Sequence, residues 1–382
     1  MDFNLTDEQR ALQETVREFA RHVVAPVIGE YYVRHEFPYD IVRQMGKMGL
    51  FGLPFPEEYG GMGGDYFALC LVLEELARVD SSVAITLEAG VSLGAMPIHR
   101  FGTDEQKQTW LPALCRGEKL AAFGLTEPGG GSDAGATKTT AVLDGDEWVI
   151  NGSKAFITNA GTEITSAVTV TAVTGTMPDG RKEISAILVP SGTPGFSVAK
   201  PYSKVGWNAS DTRELSFDNC RVPAANLVGE RGRGYAQFLQ TLDEGRIAIA
   251  ALAVGLAQGC VDESVKYARE RQAFGQPIGN YQAIQFKIAD MEMRTHTARL
   301  AYYDAAARML AGEPFKRQAA IAKLHASEIA VTNAREATQI HGGYGFMNEF
   351  PVARFWRDSK VLEIGEGTSE VQRILIAREL GL

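Results

Sequence analysis

The sequence predicts a mainly α-helical protein with a central β domain, on three observations. Apolar residues recur at helical spacing over roughly the first hundred residues, as in Leu12, Val16 and Phe19. Around residue 121 the pattern changes to β-branched or alternating runs broken by Gly, Pro and Asp-Gly turns, and from about residue 232 the helical period returns. Blocks segregated in this way predict separately packed domains, which we place at residues 1–120, 121–229 and 230–382.

The composition is that of a globular protein with several domains. The length of 382 residues exceeds the size at which a single core stops growing. Hydrophobic and charged fractions of 45% and 22% lie close to average usage, which excludes a disordered or fibrous chain. The net charge of -9 argues against nucleic acid as a partner, because neutralising phosphates requires a basic surface.

The cysteines and the hydropathy pattern indicate a reducing setting without membrane insertion. The chain has no CxxC pair and no histidine at a metal-ligand spacing, so we expect no metal site and reduced core thiols at Cys70, Cys115, Cys220 and Cys260. The N-terminus lacks the basic-then-apolar pattern of an export signal, and no run approaches 18 apolar residues. We expect a cytoplasmic protein, or a mitochondrial matrix protein if a leader has been removed.

Helix start signals mark the N-terminal domain. Thr6 with Gln9, and Thr103 with Gln106, have the spacing of capping boxes, in which each side chain bonds the backbone of the other residue. The Gly-rich segment 58–65 predicts a break between helices.

The middle domain is predicted to be antiparallel β. The sequence indicates strands at residues 148–150, 167–173, 184–189 and 214–217. The tetrapeptide Asn-Gly-Ser-Lys at 151–154 predicts a hairpin turn. The strand after that turn places Phe156 and Thr158 on one face, because strand side chains alternate.

The C-terminal domain is predicted to be a bundle of long helices. Helical periodicity indicates helices at 235–271, 282–310, 315–340 and 369–380. No complete GxGxxG motif follows a strand, which disfavours a Rossmann dinucleotide site.

A glycine-rich segment at the start of the β domain is suited to binding a flat polar ligand. Residues 125–133 read Leu-Thr-Glu-Pro-Gly-Gly-Gly-Ser-Asp, which offers the hydroxyls of Thr126 and Ser132. Consecutive glycines also let the backbone approach a ligand closely and present its amides to an anion. The alternative is a plain loop between domains.

Two helix ends in the bundle have a similar composition. In segment 269–278, Arg271 and Phe274 are three residues apart and are predicted to lie on one helix face, where Arg271 is suited to hold a phosphate. Segment 339–345 ends a second helix in a glycine cluster. The alternative is that both are ordinary helix C-termini, which are often rich in Arg and Gly.

The stretch 364–372 holds one carboxylate, Glu366, between two glycines immediately before a helix start. Glycine adopts positive φ without steric penalty, and Thr368 is placed to cap the helix that follows. This pattern is typical of a base presented on a tight turn. The alternative is a solvated loop acid.

Residues 90–94, Gly-Val-Ser-Leu-Gly, match the nucleophile elbow of α/β-hydrolases and would make Ser92 a nucleophile. An elbow requires a strand before it and a long helix after it. Pro97 follows within five residues, and the downstream chain does not alternate strand with helix. A serine hydrolase is therefore the weaker alternative.

Taken in chain order, these stretches resemble the motifs of the acyl-CoA dehydrogenase family, and the resemblance extends over essentially the whole chain. Residues 125–133 are similar to its L/V-T-E-P-x-x-G-S-D flavin motif, 269–275 to E-R-x-x-F-G, 339–345 to Q-x-x-G-G-x-G, and 366–369 to E-G-T-S. The resemblance implies an N-terminal helical domain, a middle β-barrel-like domain and a C-terminal four-helix bundle that assembles into homotetramers, as dimers of dimers.

The resemblance also implies a bound FAD that two subunits share. Within one subunit the positions matched to FAD contacts are Phe123, Leu125, Thr126, Gly131, Ser132, Phe156 and Thr158. The positions matched to contacts with the FAD of a neighbouring subunit are Arg271, Phe274, Gln282, Gln339 and Gly343. Thr368 and Glu370 match positions beside the cofactor. Those matched to the substrate pocket are Ser132, Asp243, Arg246 and Gly367, with a surface ion pair as the alternative for Asp243 and Arg246.

The reaction that the resemblance implies is α,β-desaturation of a saturated acyl-CoA to the trans-2-enoyl-CoA. Glu366 would take the Cα proton, flavin N5 would accept the hydride from Cβ, and the backbone N–H of Glu366 with a ribityl hydroxyl would hold the thioester carbonyl. Burial is expected to raise the pKa of this glutamate. An electron-transfer flavoprotein is the implied acceptor. The alternatives are an acyl-CoA oxidase that uses oxygen and a homologue used only for binding.

Several departures from the family pattern bear on the substrate. Gly365 stands where many members have Tyr, which resembles the branched-chain subgroup. Some members take their base from the position matched here by Gly245, so that arrangement is excluded, and Glu244 would face about 100° away on the helix. Glu366 is therefore the expected base.

Two further departures concern the flavin face and the acyl pocket. Phe156 replaces a Trp that many members stack near the flavin, which removes an indole donor. Segment 83–96, which lines the acyl pocket in the family, carries no Arg, and this disfavours a substrate with a second carboxylate. Glu88 in this segment could shorten the pocket, although a solvated side chain is the simpler expectation. A short or branched acyl-CoA is favoured.

Overall fold

The computed structural model describes residues 4–382, so the first three residues of the predicted N-terminal domain lie outside the described part. The chain opens with seven α-helices: α1 Asp7–Phe19, α2 Ala25–Arg34, α3 Tyr39–Lys47, α4 Tyr66–Ala77, α5 Ser81–Glu88, α6 Met96–Phe101 and α7 Asp104–Cys115. Both predicted capping boxes are present, at the starts of α1 and α7. The Gly-rich segment 58–65 separates α3 from α4, as the sequence predicts.

The β domain follows directly. Its strands are β1 Leu120–Gly124, β2 Thr140–Asp144, β3 Glu147–Thr158, β4 Thr165–Thr176, β5 Lys182–Pro190, β6 Phe196–Val198, β7 Thr212–Pro223 and β8 Leu227–Val228. The sheet order is β6-β7-β3-β2-β4-β5-β8, and β1 pairs with β4. The prediction of a wholly antiparallel sheet is wrong, because β1 and β2 both pair parallel with β4. The long connection from β1 to β4 contains the β2–β3 hairpin, which returns the chain in the direction that parallel pairing needs.

The hairpin predicted at 151–154 is also wrong. Those residues lie inside the continuous strand β3, and the turn instead falls between β2 and β3, where Gly145 has φ 66°. Gly152, with φ 146°, marks a register shift against β7 rather than a reversal. A methyl group on Gly152 would lie 2.6 Å from the Thr139 hydroxyl, so close approach explains the glycine.

The C-terminal part is helical: α8 Gly234–Glu270, α9 Gln282–Leu310, α10 Lys316–His341, α11 Pro351–Leu362 and α12 Ser369–Glu379, with a small hairpin of β9 Gln272–Ala273 and β10 Gln276–Pro277 after α8. The predicted helices of this part are present, but α11 was not predicted. Its start signal is Pro351 at the first helical position, where a missing backbone N–H costs nothing.

The N-terminal and C-terminal helices share one hydrophobic core, while the β domain has a second core. Helix α8 packs against α4 closely enough that a methyl group on Gly255 would lie 2.2 Å from the backbone oxygen of Glu74. The buried Glu74 side chain accepts hydrogen bonds from Arg299 at 2.8 Å and Tyr302 at 2.5 Å, which joins α4 to α9. The four free cysteines are buried.

A buried carboxylate joins three parts of the fold. Asp358 on α11 accepts hydrogen bonds from the Tyr32 hydroxyl at 2.6 Å, the Ser81 hydroxyl at 2.8 Å and the Trp207 backbone N–H at 2.7 Å. These donors belong to α2, to α5 and to the loop before β7. The contact therefore fixes the β domain against both helical regions.

Two helical stretches, Ser81–Phe101 and Gly234–Glu270, are long and apolar enough to cross a membrane by length and composition alone. Their most apolar windows are 94% and 89% buried inside the protein, which is typical of core helices.

Candidate active site

Glu366 lies on the turn between α11 and α12 in a left-handed backbone conformation, with φ 52°. Such a φ is uncommon for a residue with a side chain, and it persists only where the surroundings hold it. Lys323 Nζ and Gln372 Nε2 donate to the backbone oxygen of Gly367 at 2.8 Å and 2.9 Å. The Thr368 hydroxyl accepts from the backbone N–H of Val371, so Thr368 caps α12 as the sequence predicts. Together these bonds fix the turn that presents the carboxylate.

The carboxylate of Glu366 points inward. The residue as a whole is half-buried, yet both carboxyl oxygens are shielded from solvent and have no hydrogen-bond donor among residues 4–382. Oε2 lies against α8, where a methyl group on Gly245 would come within 2.4 Å of it. The absence of a side chain at Gly245 therefore makes the space that this carboxylate occupies.

The electrostatics of this position favour a base that works near neutral pH. Burial raises the pKa of Glu366 to about 7, against the lowering effects of a hydrogen bond with Glu88 and of the charges on Lys323 and Arg246. Lys323 is itself fully buried, and desolvation lowers its pKa to about 8.

Glu88, at the end of α5, is the carboxyl group that faces Glu366. The expectation of a solvated side chain is wrong, since Glu88 is 0% exposed. Burial and the neighbouring Glu366 carboxylate raise its pKa well above the usual value. No donor in residues 4–382 lies within ordinary hydrogen-bond distance of either carboxyl, although the nearby Ser92 hydroxyl acts to lower the pKa of Glu88. A hydrogen bond between the two carboxyls therefore requires one of them to carry a proton.

Ser92 does not have the surroundings of a nucleophile. It lies within a π-helical segment, Ala89–Ala95, that continues α5, rather than on a turn after a strand. Its side chain is buried, and its oxygen accepts a hydrogen bond from the Tyr66 hydroxyl at 2.8 Å. The serine hydrolase alternative is therefore wrong.

The predicted substrate residues of α8 lie close to the base. Arg246 is 4% exposed and pairs with the half-buried Asp243 one helical turn away, so the pair is largely buried rather than the surface pair given as the alternative. Glu244 is directed elsewhere, onto Arg100 at 2.7 Å. Because its carboxylate is paired with Arg100, Glu244 is a weaker candidate for the base than Glu366.

The expected cofactor loop is held against β3 by a buried lysine. Lys154 is 0% exposed, and its Nζ donates to Glu127 at 2.9 Å and to the backbone oxygen of Leu125 at 3.3 Å. The backbone N–H of Ala155 donates to the oxygen of Thr126 at 2.8 Å. Lys154 thus places residues of β1, the loop and β3 beside one another.

The first set of expected FAD residues lies around this junction. Phe123 and Leu125 are nearly buried, Thr126 and Thr158 are half-buried, and Gly131 and Ser132 are exposed. Phe156 occupies a register shift of β3 with φ 61° and is 64% exposed. An exposed aromatic ring beside hydroxyls and an open glycine loop fits a flat ring with polar edges, such as the flavin of FAD.

The second set of expected FAD residues, those matched to the FAD of a neighbouring subunit, lies near the C-terminal end of α8. Arg271 and Phe274 do not share a helix face as predicted, because α8 ends at Glu270 and both follow it. Phe274 forms the turn of the β9–β10 hairpin, with φ 50° and 96% exposure. Pro277 and the positive φ of Gly275 are incompatible with continued helix.

Arg271 nevertheless groups with the predicted glycine cluster, since its guanidinium lies 5.9 Å from the Tyr344 ring. Gln339, Gly343 and Gln282 are exposed near these helix ends. The 26 residues from Gly245 to Arg271 correspond to roughly 39 Å of α-helix at 1.5 Å per residue. Within one chain, therefore, the second set lies far from Glu366.

Several residues of the site were missed by sequence reasoning. Lys154 and Lys323 have no local signal, because a lysine is usually exposed and only the tertiary packing buries these two. The contact of Glu88 with Glu366 joins distant segments. Glu88 itself was named from the sequence, as part of the segment expected to line the acyl pocket, and only its burial against Glu366 was missed.

The chain is similar to known proteins over its whole length. Family models match three consecutive parts of the chain: the acyl-CoA dehydrogenase N-terminal domain at residues 6–118, the middle domain at 122–220 and the C-terminal domain at 232–381. The chain is 52% identical over 380 residues to the probable acyl-CoA dehydrogenase YngJ of Bacillus subtilis, covering 100% of both.

Solved structures are equally similar. The butyryl-CoA dehydrogenase of Megasphaera elsdenii superposes with a TM-score of 0.96 at 42% identity, covering 100% of both chains. A chain from the structure of the electron transferring flavoprotein of Acidaminococcus fermentans gives a TM-score of 0.96 at 44% identity, covering 100% of this chain and 99% of that one.

Proposed function

The chain belongs to the acyl-CoA dehydrogenase family of FAD-dependent oxidoreductases, and on that premise we propose that it desaturates short acyl-CoA thioesters with Glu366 as the base. One observation carries the assignment of the base. Glu366 has a solvent-shielded carboxylate without a donor, held by a strained turn against the cavity that Gly245 leaves. A stable protein has little reason to keep such a group unless a ligand meets it there.

Each residue of the site has a separate role in the proposed reaction. Glu366 removes the Cα proton, and its own backbone N–H is the proposed donor to the thioester carbonyl, where negative charge develops. Arg246, buried beside the site, supplies positive charge that favours the ionised base. When bound, FAD supplies the hydride acceptor. We assign its flavin to the junction of Phe156, Thr126 and Thr158.

The second set of cofactor residues supports assembly with at least a second copy of the chain, in line with the homotetramer that the family resemblance implies. Arg271 lies roughly 39 Å along α8 from the position opposite Glu366, so one chain does not bring both sets to the same part of a ligand. A second copy supplies Arg271, Phe274, Gln282, Gln339 and Gly343 to the FAD. Phe274 at 96% exposure agrees with a side chain that acquires its contacts only on assembly.

We propose an electron-transfer flavoprotein as the acceptor, supported by the likeness to a chain from a structure of such a protein. The rival is an oxidase that uses oxygen. After reduction by substrate, the holoenzyme is mixed with air-saturated buffer or with an electron-transfer flavoprotein. Fast reoxidation by the flavoprotein and slow formation of hydrogen peroxide support the proposal, while fast peroxide formation favours the oxidase.

The reaction itself is tested by anaerobic mixing of the holoenzyme with acyl-CoAs of four to twelve carbons, including isobutyryl, 2-methylbutyryl and isovaleryl forms. We expect the flavin absorbance to bleach with the four-carbon members. A flavin that stays oxidised with every member would overturn the proposed function.

The pH dependence follows from the raised pKa of the base. Only the ionised carboxylate accepts a proton, so the rate of flavin reduction by low concentrations of substrate should rise with pH. With a pKa of about 7, the ionised fraction rises about tenfold from pH 6 to pH 8. Stopped-flow reduction across this range measures it. A rate that is flat from pH 5 to pH 8 would contradict a base with this pKa.

Gly245→Ala should displace the base. The new methyl group would lie 2.4 Å from Oε2 of Glu366, so the carboxylate must move, and a shift of about 1 Å costs roughly a hundredfold in rate. We expect a loss of that order in kcat with unchanged FAD content. Gly259→Ala is unsuitable as a control, because its methyl group would meet backbone. Gly29→Ala, inside helix α2, is the matched variant, because its methyl group would have no neighbour closer than Arg354 Nη1 at 3.9 Å.

A further inference from the structure

Glu88 is fixed in place by the elements around it. Its helix α5 receives a hydrogen bond at its C-terminal end, where Asn159 Nδ2 donates to the backbone oxygen of Thr86 at 2.9 Å. The π-helical segment that follows packs on β1, and a methyl group on Gly94 would lie 2.2 Å from the backbone oxygen of Ala121. A residue on such a rigid support does not swing out to solvent.

No cation compensates the Glu88 carboxyl. The charges of Lys323 and Arg246 act on Glu366, whereas the groups that act on Glu88 are the Glu366 carboxylate and the Ser92 hydroxyl. Ser92 accepts a hydrogen bond from Tyr66, so its own hydroxyl hydrogen stays free to point at Glu88, where it acts to lower the pKa of that carboxyl. Within residues 4–382, both oxygens of Glu88 lack a donor at ordinary hydrogen-bond distance. Glu88 is therefore a buried carboxyl beside the base that lacks a full set of hydrogen-bond partners.

The contact between Glu88 and Glu366 indicates which substrate atom would lie nearest the Glu88 carboxyl. A base lies about 3 to 3.5 Å from the atom it attacks, and the Glu88 carboxyl, which forms a hydrogen bond with that base, adds about 3 Å. Glu88 thus lies within roughly 6 to 7 Å of Cα. An oxygen on C4 is three bonds from Cα, roughly 4 Å in an extended chain. The C4 substituent therefore reaches the Glu88 carboxyl.

When Glu366 turns to Cα, Glu88 loses its carboxyl partner and keeps only the Ser92 hydroxyl as a polar neighbour. An alkyl chain then leaves the carboxyl unsatisfied, which disfavours binding by about tenfold to hundredfold. A hydroxyl on C4 satisfies it, because a hydroxyl accepts from the neutral acid and donates to the carboxylate. A substrate with a carboxylate of its own would place a third acidic group beside Glu88 and Glu366, and no cation of the described chain pairs with Glu88 there.

We infer that Glu88 closes the acyl pocket and makes this protein selective for short acyl-CoAs that carry a hydroxyl at C4, an inference that rests on the proposed function of the Glu366 site. In this assignment Glu88 is a specificity residue that contacts substrate, and Glu366 remains the base.

The first test measures binding without reaction. The wild-type holoenzyme is titrated with two inert thioethers, S-butyl-CoA and S-(4-hydroxybutyl)-CoA, and the dissociation constants are taken from the change in flavin absorbance. We expect the hydroxylated thioether to bind at least tenfold more tightly. In Glu88→Ala this preference should vanish, and in Glu88→Gln, which keeps the size and a hydrogen-bonding side chain, most of it should remain.

The second test measures flavin reduction by butyryl-CoA and 4-hydroxybutyryl-CoA. A specificity role changes the ratio of the two rate constants in Glu88→Ala, whereas a role confined to positioning Glu366 lowers both equally and leaves the ratio intact. Equal thioether affinities in the wild type, an unchanged ratio in Glu88→Ala, or no binding of either thioether would overturn the inference. Selective thioether binding with a flavin that stays oxidised would uphold it and contradict the proposed desaturation alone.

Discussion

Replacing Glu366 with glutamine is expected to abolish desaturation while leaving FAD and acyl-CoA bound. Glutamine has the size of glutamate but does not accept the Cα proton, and loss of a positioned general base costs up to about four orders of magnitude. The substituted side chain fits the same space against Gly245, because no atom is added. We therefore expect the rate of flavin reduction to fall by roughly three to four orders of magnitude, as measured by anaerobic stopped-flow mixing.

The control for this variant is Glu379→Gln, which makes the same chemical change at an exposed position at the end of α12. It should reduce flavin at the wild-type rate. Turnover retained by Glu366→Gln would move the base elsewhere, and Glu244 would be tested next. Loss of flavin absorbance from the purified variant would instead indicate a structural role for the Glu366 turn.

Replacing Asp358 with alanine is expected to have the largest effect on stability. The change leaves the Tyr32 hydroxyl, the Ser81 hydroxyl and the Trp207 backbone N–H without their buried acceptor. Breaking a buried charged network in this way costs about 3 to 5 kcal/mol. Because Asp358 joins the β domain to both helical regions, the loss acts on the packing between them. We expect the melting temperature of the holoenzyme to fall by roughly 4 to 6 °C, since the 382 residues carry about 2 cal/mol/K of unfolding entropy each.

Two further variants separate the causes. Asp358→Asn keeps one acceptor oxygen in the same place and should lose less stability than the alanine variant. Asp146→Ala removes an exposed aspartate from the β2–β3 turn and should leave the melting temperature within about 1 °C. A melting temperature of Asp358→Ala equal to that of the wild type would show that the three donors find other partners.

Local sequence patterns accounted for much of the helical fold. The capping boxes at Thr6 and Thr103 placed two helix starts, since a cap depends on residues three apart and on nothing distant. Long helical periods placed α9 and α10 almost to the residue. The strand pairing of the sheet could not be predicted from local patterns. The parallel pairing of β1 with β4 depends on how a long connection runs in space.

Arg271 and Phe274 show the limit of spacing arguments at a helix end. Their separation of three residues indicated a shared helix face, but the helix had already ended at Glu270. Helix boundaries are the weakest part of any pattern, since the last turn contributes few bonds and a following Gly and Pro redirect the chain.

The sequence by itself determined the order of the domains, the candidate base Glu366 on its glycine-flanked turn and the motifs that resemble one enzyme family. These features are local, because each depends on residues within one turn, strand or helix. Only the tertiary structure decided that Glu88 is buried against Glu366, that Gly245 makes room for the base, and that Asp358 joins three parts of the fold. Burial and pairing of charges depend on segments that are distant in the chain, and the free energy of a carboxylate is set by what surrounds it rather than by its neighbours in sequence.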